Sequence, residues 1–241
     1  MRAAASFLLA ILASFVLLLP RTSRACGLTP PIGPNGFPTV CHGEATSIRF
    51  HAGLSVGGTS TTIDFGDRRA DLLQAASVAS LDVMPLDALT LSVSAGASLG
   101  GRVDYLGARY DLRPGWLGGV GISYRLFGRG GLPFVQPSLS YSFARATSVA
   151  PGGAETDFTA NDWRAGLVVG KAIGGFAAPY VLARYFGAGT DWSVGGGHGG
   201  DHFRYHAGIG SAFAFSEHVD AIAELAVLGE RRATLGVGYM F

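Results

Sequence analysis

The stretch from Leu89 to Gly100 reads LTLSVSAGASLG and alternates without a break between two kinds of side chain. Its odd positions are all aliphatic, and its even positions are all Thr, Ser or Gly. Successive side chains of a β-strand point to opposite faces, so this pattern gives one apolar face and one small polar face. A helix would mix the two sets around its circumference. The stretch therefore predicts a β-strand.

The same alternation recurs along the rest of the chain, and we predict about ten strands, with eight or twelve as the alternatives. The predicted spans are 46–57, 69–83, 88–101, 115–126, 133–144, 161–172, 175–187, 202–214, 217–229 and 231–241. The segment 69–83 is the weakest of these, because its Ala, Leu and Gln content would also suit a helix. A helix there would leave an odd number of strands, whereas bacterial single-chain barrels have an even number.

The composition favours a membrane environment for these strands. The chain is 48% hydrophobic and only 15% charged, whereas a water-soluble domain carries nearer ~25% charge. Beyond the N-terminal segment, no apolar run is long enough for a transmembrane helix. A sheet in a bilayer must close on itself to satisfy its backbone groups. We therefore predict an all-β fold, a closed antiparallel transmembrane β-barrel. The alternative is a soluble calyx, which would need charge on its outer face.

The predicted connections alternate between long and short. The long ones are 58–68, 102–114, 145–160 and 188–201. Outer-membrane barrels have long external loops and short periplasmic turns. The sequence therefore predicts four external loops, with only the hairpin around Glu230 turning tightly on the external side.

The N-terminal segment has the features of a secretory signal. Met1 and Arg2 precede an apolar run from Ala3 to Leu19, and small residues precede Cys26. This pattern predicts a signal peptide over residues 1–25, cleaved near Ala25. A retained anchor and lipid attachment at Cys26 are the alternatives. Cleavage removes three arginines and leaves 15 basic against 17 acidic residues, so nucleic acid is not an expected partner.

The two cysteines lie close together near the mature N-terminus. An even cysteine count in an exported chain favours a disulfide, here between Cys26 and Cys41. Residues 26–45 are rich in Pro and Gly, and we expect them to form a periplasmic lead-in or a partial plug. Residues 46–241 would then form the barrel.

The last strand carries a resemblance to a known family. Leu235, Val237, Tyr239 and Phe241 alternate up to the end of the chain. This resembles the C-terminal insertion signal of bacterial outer-membrane β-barrels, and by size the chain is similar to the small OmpA and OmpX class. The resemblance implies an outer-membrane location and a periplasmic C-terminus. It also implies two partners, the membrane lipid and the barrel assembly machinery, but it identifies no subfamily.

The polar face of the strands would line the interior of the barrel. The predicted lumen network consists of Arg49, His51, Asp82, Arg125, Arg164, Arg204, His206, Asp220 and Glu224. The face on which Arg184 lies is left open. Buried charges are rarely unpaired, and a barrel of this size has little free space. We expect a salt-bridged filling, with a narrow polar channel as the alternative.

No motif predicts catalysis or a cofactor. The glycine-rich run at 195–200 is interpreted as a flexible loop tip, and His198, Asp201 and His202 as a possible but weak loop metal site. The leading functional hypothesis is a non-enzymatic structural or surface-interaction barrel acting through its external loops on an unknown ligand. A narrow porin-like channel is the first alternative. A membrane-embedded hydrolase, by analogy with the omptin proteases, is the second.

Overall fold

The computed structural model describes residues 48–86, 88–127 and 132–241, and these residues are almost entirely in β-strands. The strands are β1 Arg49–Phe65, β2 Arg68–Leu86, β3 Leu89–Tyr105, β4 Ala108–Leu112, β5 Gly115–Tyr124, β6 Leu126–Phe127, β7 Phe134–Val149, β8 Glu155–Gly170, β9 Ala177–Trp192, β10 Gly197–Asp201, β11 Tyr205–Ala214, β12 Val219–Gly229 and β13 Arg231–Met240. A single 3-10 turn, Ser193–Gly195, joins β9 to β10. No helix in these ranges has the length and apolar character of a membrane span.

Ten of the strands pair antiparallel around a ring. The order is β1, β2, β3, β5, β7, β8, β9, β11, β12 and β13, and β13 pairs with β1. In that last pairing Leu54 lies opposite Val237. The uncertain segment 69–83 belongs to β2 and is a strand, as predicted. We call the end of the ring with Arg49 and Met240 the near end, and the opposite end the far end.

Three of the four predicted long loops are largely strand. β1 continues to Phe65, and only Gly66 and Asp67 turn the chain into β2. β3 and β4 occupy most of 102–114, and β7 and β8 extend through most of 145–160. The prediction of loops there was wrong, because the apolar alternation that predicts the strands is interrupted there by outward charged and polar residues. They lie on solvent-facing continuations of the same strands.

The fourth predicted loop, 188–201, contains the end of β9, the 3-10 turn and β10. The glycine-rich run is therefore not a free loop tip. β10 pairs with β9 through Gly197–Gly200 and with β1 through Gly200 and Asp201. At the far end it thus bridges β9 and β1 above the shorter strands β11, β12 and β13. The pairing there runs through β1, β2, β3, β4, β7, β8, β9 and β10, so a ring of ten narrows to a ring of eight.

The outward face of the ring of ten is apolar. Large aliphatic side chains such as Val93, Leu167 and Val181 are about half exposed on it. Aromatic side chains mark its two edges. Toward the far end these are Trp116, Phe143, Trp163, Tyr185 and Tyr205, and toward the near end Phe50, Tyr124, Tyr239 and Phe241. Aromatic girdles at both interfaces are typical of membrane barrels.

The height of the apolar face suits a bilayer. On β5, Trp116 and Tyr124 stand eight residues apart, which is about 26 Å along a strand at ~3.3 Å per residue. A strand tilt of about 40° reduces this to roughly 20 Å, close to the ~25 Å apolar band of outer-membrane barrels.

Beyond the far aromatic girdle the polarity of both faces reverses. Outward positions now carry ion pairs, among them Arg102 with Asp104 and Arg145 with Asp157. Inward positions instead form an apolar cluster of nine buried residues. They are Ile63, Phe65, Ala70, Leu72, Val103, Tyr105, Leu112, Phe158 and Trp192. This part of the sheet is built like a water-soluble β-structure, with its core inside.

Candidate functional site in the interior of the ring

The interior of the ring is filled at three levels. The level nearest the chain ends contains a buried histidine between two carboxylates. His51 Nδ1 lies 3.1 Å from Asp82 Oδ2, and His51 Nε2 lies 3.1 Å from Asp220 Oδ2. The three side chains come from β1, β2 and β12 and are at most 1% exposed. A Cβ at Gly238 would lie 2.1 Å from His51 Nε2, so a glycine is needed there to admit the ring.

An apolar cluster continues the filling on the other side of the near end. Its buried members are Phe134, Val168, Ala178, Tyr180, Leu182, Ala212, Ala214 and Ile222. A Cβ at Gly210 would lie 2.4 Å from Tyr180 Cζ, so the ring of Tyr180 packs directly on the backbone of β11. These side chains fill this side of the interior with apolar atoms.

Two bidentate ion pairs form the middle level. Arg164 donates from Nη1 and Nη2 to Glu230 Oε1 and Oε2 at 2.8 and 3.0 Å. Arg184 donates in the same way to Glu224 at 2.9 and 3.1 Å. The ring of His206 lies between the two guanidinium groups, 3.4 Å from Arg164 Nη1 and 3.3 Å from Arg184 Nη1. Bidentate arginine–carboxylate pairs combine strength with fixed geometry, so this level is a connected polar layer across the interior.

Further contacts tie this layer to the wall. Arg164 Nε also donates to Asp162, and its guanidinium stacks on Phe186 with 4.7 Å between Cζ and the ring centroid. The Tyr180 hydroxyl donates to Glu224 Oε2 at 3.4 Å. The layer therefore holds side chains from β8, β9, β11 and β12 and from the β12–β13 turn.

A small cavity with several charged side chains in its wall lies between the charged layer and the far apolar cluster. Its volume is about 160 Å³, roughly the space of five water molecules at ~30 Å³ each. Thr61, Asp162, Asp201, Glu230 and Arg232 contribute to its lining. Burial, together with the negative charges of Glu230 and Asp162, raises the pKa of Asp201 to about 7, and the positive charge of Arg164 opposes the rise.

The third level is the aromatic centre of the far apolar cluster. The ring of Trp192 lies 5.0 Å from that of Tyr110, 5.5 Å from Tyr105 and 5.8 Å from Phe65, measured between centroids. Its indole N–H donates to Ser148 Oγ at 2.7 Å. Cβ atoms at Gly195 and Gly199 would lie 2.7 and 2.6 Å from Phe65 Cδ1. The glycine-rich segment therefore serves close packing of Phe65 and closes the far end.

The structure brings together most of the predicted lumen residues. His51, Asp82 and Asp220 form the near group, and Arg164, His206 and Glu224 belong to the charged layer. Arg49 and Arg125 are half-buried at the near end. The placement of Arg204 was wrong, because it is exposed in the short segment between β10 and β11. Arg204 lies before the first residue of β11, so the alternation of that strand does not determine which way its side chain faces.

The sequence reasoning missed Asp162, Glu230 and Arg232. Glu230 was assigned to an external turn, yet it is 2% exposed and faces inward. Arg232 falls on the opposite face from Leu235 and Val237, so alternation alone could have placed it inside. Asp162 and Arg184 could have been placed by the same count along β8 and β9. The identity of each ion-pair partner could not, since partners come from strands distant in sequence.

The residues of the predicted loop metal site are separated. His198 pairs with Asp191 at 2.9 Å, and His202 pairs with Asp64 at 2.9 Å. Asp201 lines the internal cavity instead. Within the described ranges, no group of three or more His, Cys, Asp and Glu side chains could hold a metal ion. Cys26 and Cys41, like the signal peptide and lead-in, lie outside the described residues.

The C-terminal strand has its apolar positions on the outward face. Leu235, Val237, Tyr239 and Phe241 are 49%, 56%, 46% and 69% exposed. His218 stacks on Tyr239, and its Nδ1–H donates a hydrogen bond to Met240 O at 2.9 Å. The predicted insertion signal thus forms a continuous apolar ridge at the near end.

Comparison with solved structures finds several outer-membrane proteins with a similar arrangement of strands and low sequence identity. The outer membrane protease OmpT from Escherichia coli is 12% identical, with a TM-score of 0.49 over 82% of this chain and 99% of that one. The translocator domain of autotransporter NalP from Neisseria meningitidis is 14% identical, with a TM-score of 0.47 over 82% and 90%. An outer membrane channel from Pseudomonas putida F1 is 10% identical, with a TM-score of 0.45 over 83% and 97%.

These three structures have different roles, and each likeness concerns general architecture. No protein-family model matches the sequence, and no curated protein matches it. The outward faces and the interior of this chain are therefore the features from which a function is inferred.

Proposed function

We propose that this protein is an integral outer-membrane β-barrel with a filled, non-conducting interior, whose role is structural or surface-interacting. The ring of ten would be a closed barrel with its apolar face in lipid and its far end outside the cell. The observation that supports this best is the filling at three successive levels: the His51 group, the bidentate ion pairs and the Trp192 cluster.

The surface that such a protein offers to partners is rigid. The segments beyond the far girdle are paired strands joined by tight turns, and their outward face is charged. A partner would therefore meet a preformed collar with ion pairs such as Arg113 with Glu155. We therefore propose that partners bind the strand extensions beyond the far girdle and not long flexible loops.

Conductance in planar lipid bilayers tests the filled interior against the porin-like alternative. We expect the refolded wild type to insert without discrete conductance steps. A double variant, Trp192→Ala with Phe65→Ala, removes two large side chains from the far apolar cluster. Its conductance is compared with that of the wild type. Stable conductance steps in the wild type would contradict the proposal and favour a pore.

One contact supports the hydrolase alternative. His202 Nδ1 lies 2.9 Å from Asp64 Oδ2 at the far end, and both side chains are partly exposed. A peptide or lipid hydrolysis assay on wild type and His202→Ala distinguishes the roles. We expect no turnover in either. Activity that His202→Ala abolishes, with His198→Ala unaffected, would overturn the non-enzymatic proposal.

A further inference from the structure

A groove interrupts the bulky apolar surface of the outward face on one side of the ring. Ala75 on β2, Gly58 on β1 and Ala233 on β13 lie directly opposite one another in register. Three neighbouring strands with almost no side chain leave a depression roughly 10 Å wide at ~4.8 Å per strand. We call this the lateral groove.

The lateral groove has apolar walls and a large volume. Its main part measures about 730 Å³. Bulky side chains stand around it on four strands: Val56, Ile209, Leu225 and Leu235. Gly58, Leu225 and Ala233 also line a second depression that continues toward the far girdle. The two form one channel along the lipid-facing wall, of a shape that suits an acyl chain.

The far end of the lateral groove carries positive charge. Arg231 lines the second depression and is exposed. Arg204 lies beside it, because the backbone N–H of Glu230 donates to Tyr205 O at 3.3 Å and the two arginines flank that contact. Tyr205 belongs to the far aromatic girdle, so both arginines lie at this girdle, which is the level of the lipid headgroups in the proposed membrane location.

These two arginines differ from their neighbours. Among the residues that the structure describes, five exposed arginines farther beyond the girdle are paired with carboxylates, whereas Arg68 at the β1–β2 turn is not; the paired ones are Arg69, Arg102, Arg109, Arg113 and Arg145. Within the described ranges Arg204 and Arg231 have no carboxylate partner. Two unneutralised guanidinium groups at the end of an apolar groove match a ligand with an anionic head and an aliphatic tail.

We propose that the lateral groove binds a phosphorylated lipid of the surrounding leaflet, with an acyl chain along Ala75, Gly58 and Ala233 and a phosphate on Arg231 and Arg204. This inference rests on the proposed membrane location of the barrel. Short strands make the site possible, since β11, β12 and β13 end at the girdle and leave the arginines facing the headgroup region.

Native mass spectrometry of the refolded mature chain in a zwitterionic detergent tests the site. The probe is lipid A, a bisphosphorylated glycolipid, compared with its dephosphorylated form and with inorganic phosphate. We expect lipid A to bind at least about tenfold more tightly than dephosphorylated lipid A, which corresponds to the ~1.4 kcal/mol of a tenfold change. Inorganic phosphate should bind more weakly than both.

Three variants separate the two halves of the site. Arg231→Gln combined with Arg204→Gln should remove the preference for phosphorylated lipid. Gly58→Leu should weaken both lipids alike by filling the groove, and the nearest obstacle to a Cβ there is Gln74 O at 3.9 Å, so the backbone accommodates the change. Arg102→Gln is the control, because Arg102 is exposed at the same end but paired with Asp104.

Several results would overturn the assignment. Equal binding of both lipids by the wild type would refute the phosphate contact with the arginines. Binding of inorganic phosphate as tight as that of lipid A would refute the acyl contact with the groove. A dimer that Gly58→Leu dissolves would assign the groove to a second copy of the chain. Gel migration of unboiled samples reports barrel formation separately, so a folded barrel without lipid preference refutes this site and leaves the proposed function intact.

Discussion

The far apolar cluster and the charged layer lie on the same inward face of the same strands, yet they are built from opposite chemistry. Around Trp192 the interior is aromatic and the outside is charged. Around Arg164 the interior is ionic and the outside is apolar. The change occurs at the aromatic girdle, where the proposed membrane location would replace lipid by water outside the ring.

The physical reason lies in what each medium accepts. Apolar side chains in lipid lose nothing by facing outward, so the inward face is free to carry polar groups that pair with one another. In water the same outward exposure is unfavourable, and burial of apolar side chains inside becomes the main source of stability. One continuous sheet thus combines a part with an apolar outer face and a polar interior and a part with a charged outer face and an apolar interior.

The largest expected effect comes from breaking the charged layer. Arg164→Met should lower the free energy of unfolding by about 3–5 kcal/mol, because it leaves the Glu230 carboxylate buried without its partner. Urea titration in lipid vesicles, followed by the gel shift of folded protein, measures the change. Arg145→Gln is the matched control in an exposed pair and should cost about 0–1 kcal/mol. Equal losses in the two variants would refute a buried, structural role for the layer.

Removal of the aromatic centre should have an effect of similar or slightly smaller size. Trp192→Ala should cost about 3–5 kcal/mol, since it opens a cavity in a packed cluster. Trp163→Ala removes the same side chain from the lipid-facing girdle, where the indole is 43% exposed, and should cost less. The same urea titration compares them, and a larger loss at Trp163 would contradict the core assignment of the far cluster.

A charge placed on the outward face tests the position of the boundary itself. Leu167→Arg should cost about 2–4 kcal/mol if the residue lies near the bilayer midplane, as should Val93→Arg. Thr159→Arg is the control on the same face of β8 beyond the girdle, next to Arg145 and Asp191 in register, and it should be nearly neutral. An unchanged free energy of unfolding for Leu167→Arg would show that this face does not contact lipid.

The fourth test is a pH dependence at the junction of the two regions. Burial near Glu230 and Asp162 raises the pKa of Asp201 from 3.8 to about 7. Between pH ~4 and ~7 the folded state keeps a proton on Asp201 that the unfolded chain has already released. The resulting contribution to stability is fully present below pH ~4 and is lost as the pH rises through ~7.

Asp201→Asn removes this titration while keeping the size of the side chain. We expect the difference in unfolding midpoint between the variant and wild type to increase in favour of the variant from pH 4 to pH 8. Asp191→Asn, at an exposed carboxylate on β9, is the control. A difference that does not vary with pH would show that Asp201 keeps an ordinary carboxylate titration.

The sequence predicted the strands of the ring better than their lengths. Alternation in 89–100 and in the last strand identified both elements and their outward faces, because strand periodicity is a local property. It failed beyond the girdle, where alternation persists with reversed polarity. Arg102 and Asp104 were read as loop residues, although Val103 and Tyr105 between them are buried in the far cluster.

The interior could be predicted only in part. Counting along each strand placed His51, Arg164 and Glu224 on the polar face, but Glu230 looked like a turn residue. That Arg164 binds Glu230, 66 residues away, depends on the stagger of the strands around the ring. A strand pattern does not contain that stagger, because it is fixed by the pairing of all ten strands.

The sequence by itself determined that this chain forms alternating strands, that one face of them suits lipid, and that its last strand ends in an apolar ridge. These features depend on each residue and its near neighbours. The tertiary structure alone decided that the strands extend past the apolar outward band, that β10 narrows the ring from ten to eight, and which charges meet inside. These features arise from contacts between distant strands, where register and closure select partners that no local pattern specifies.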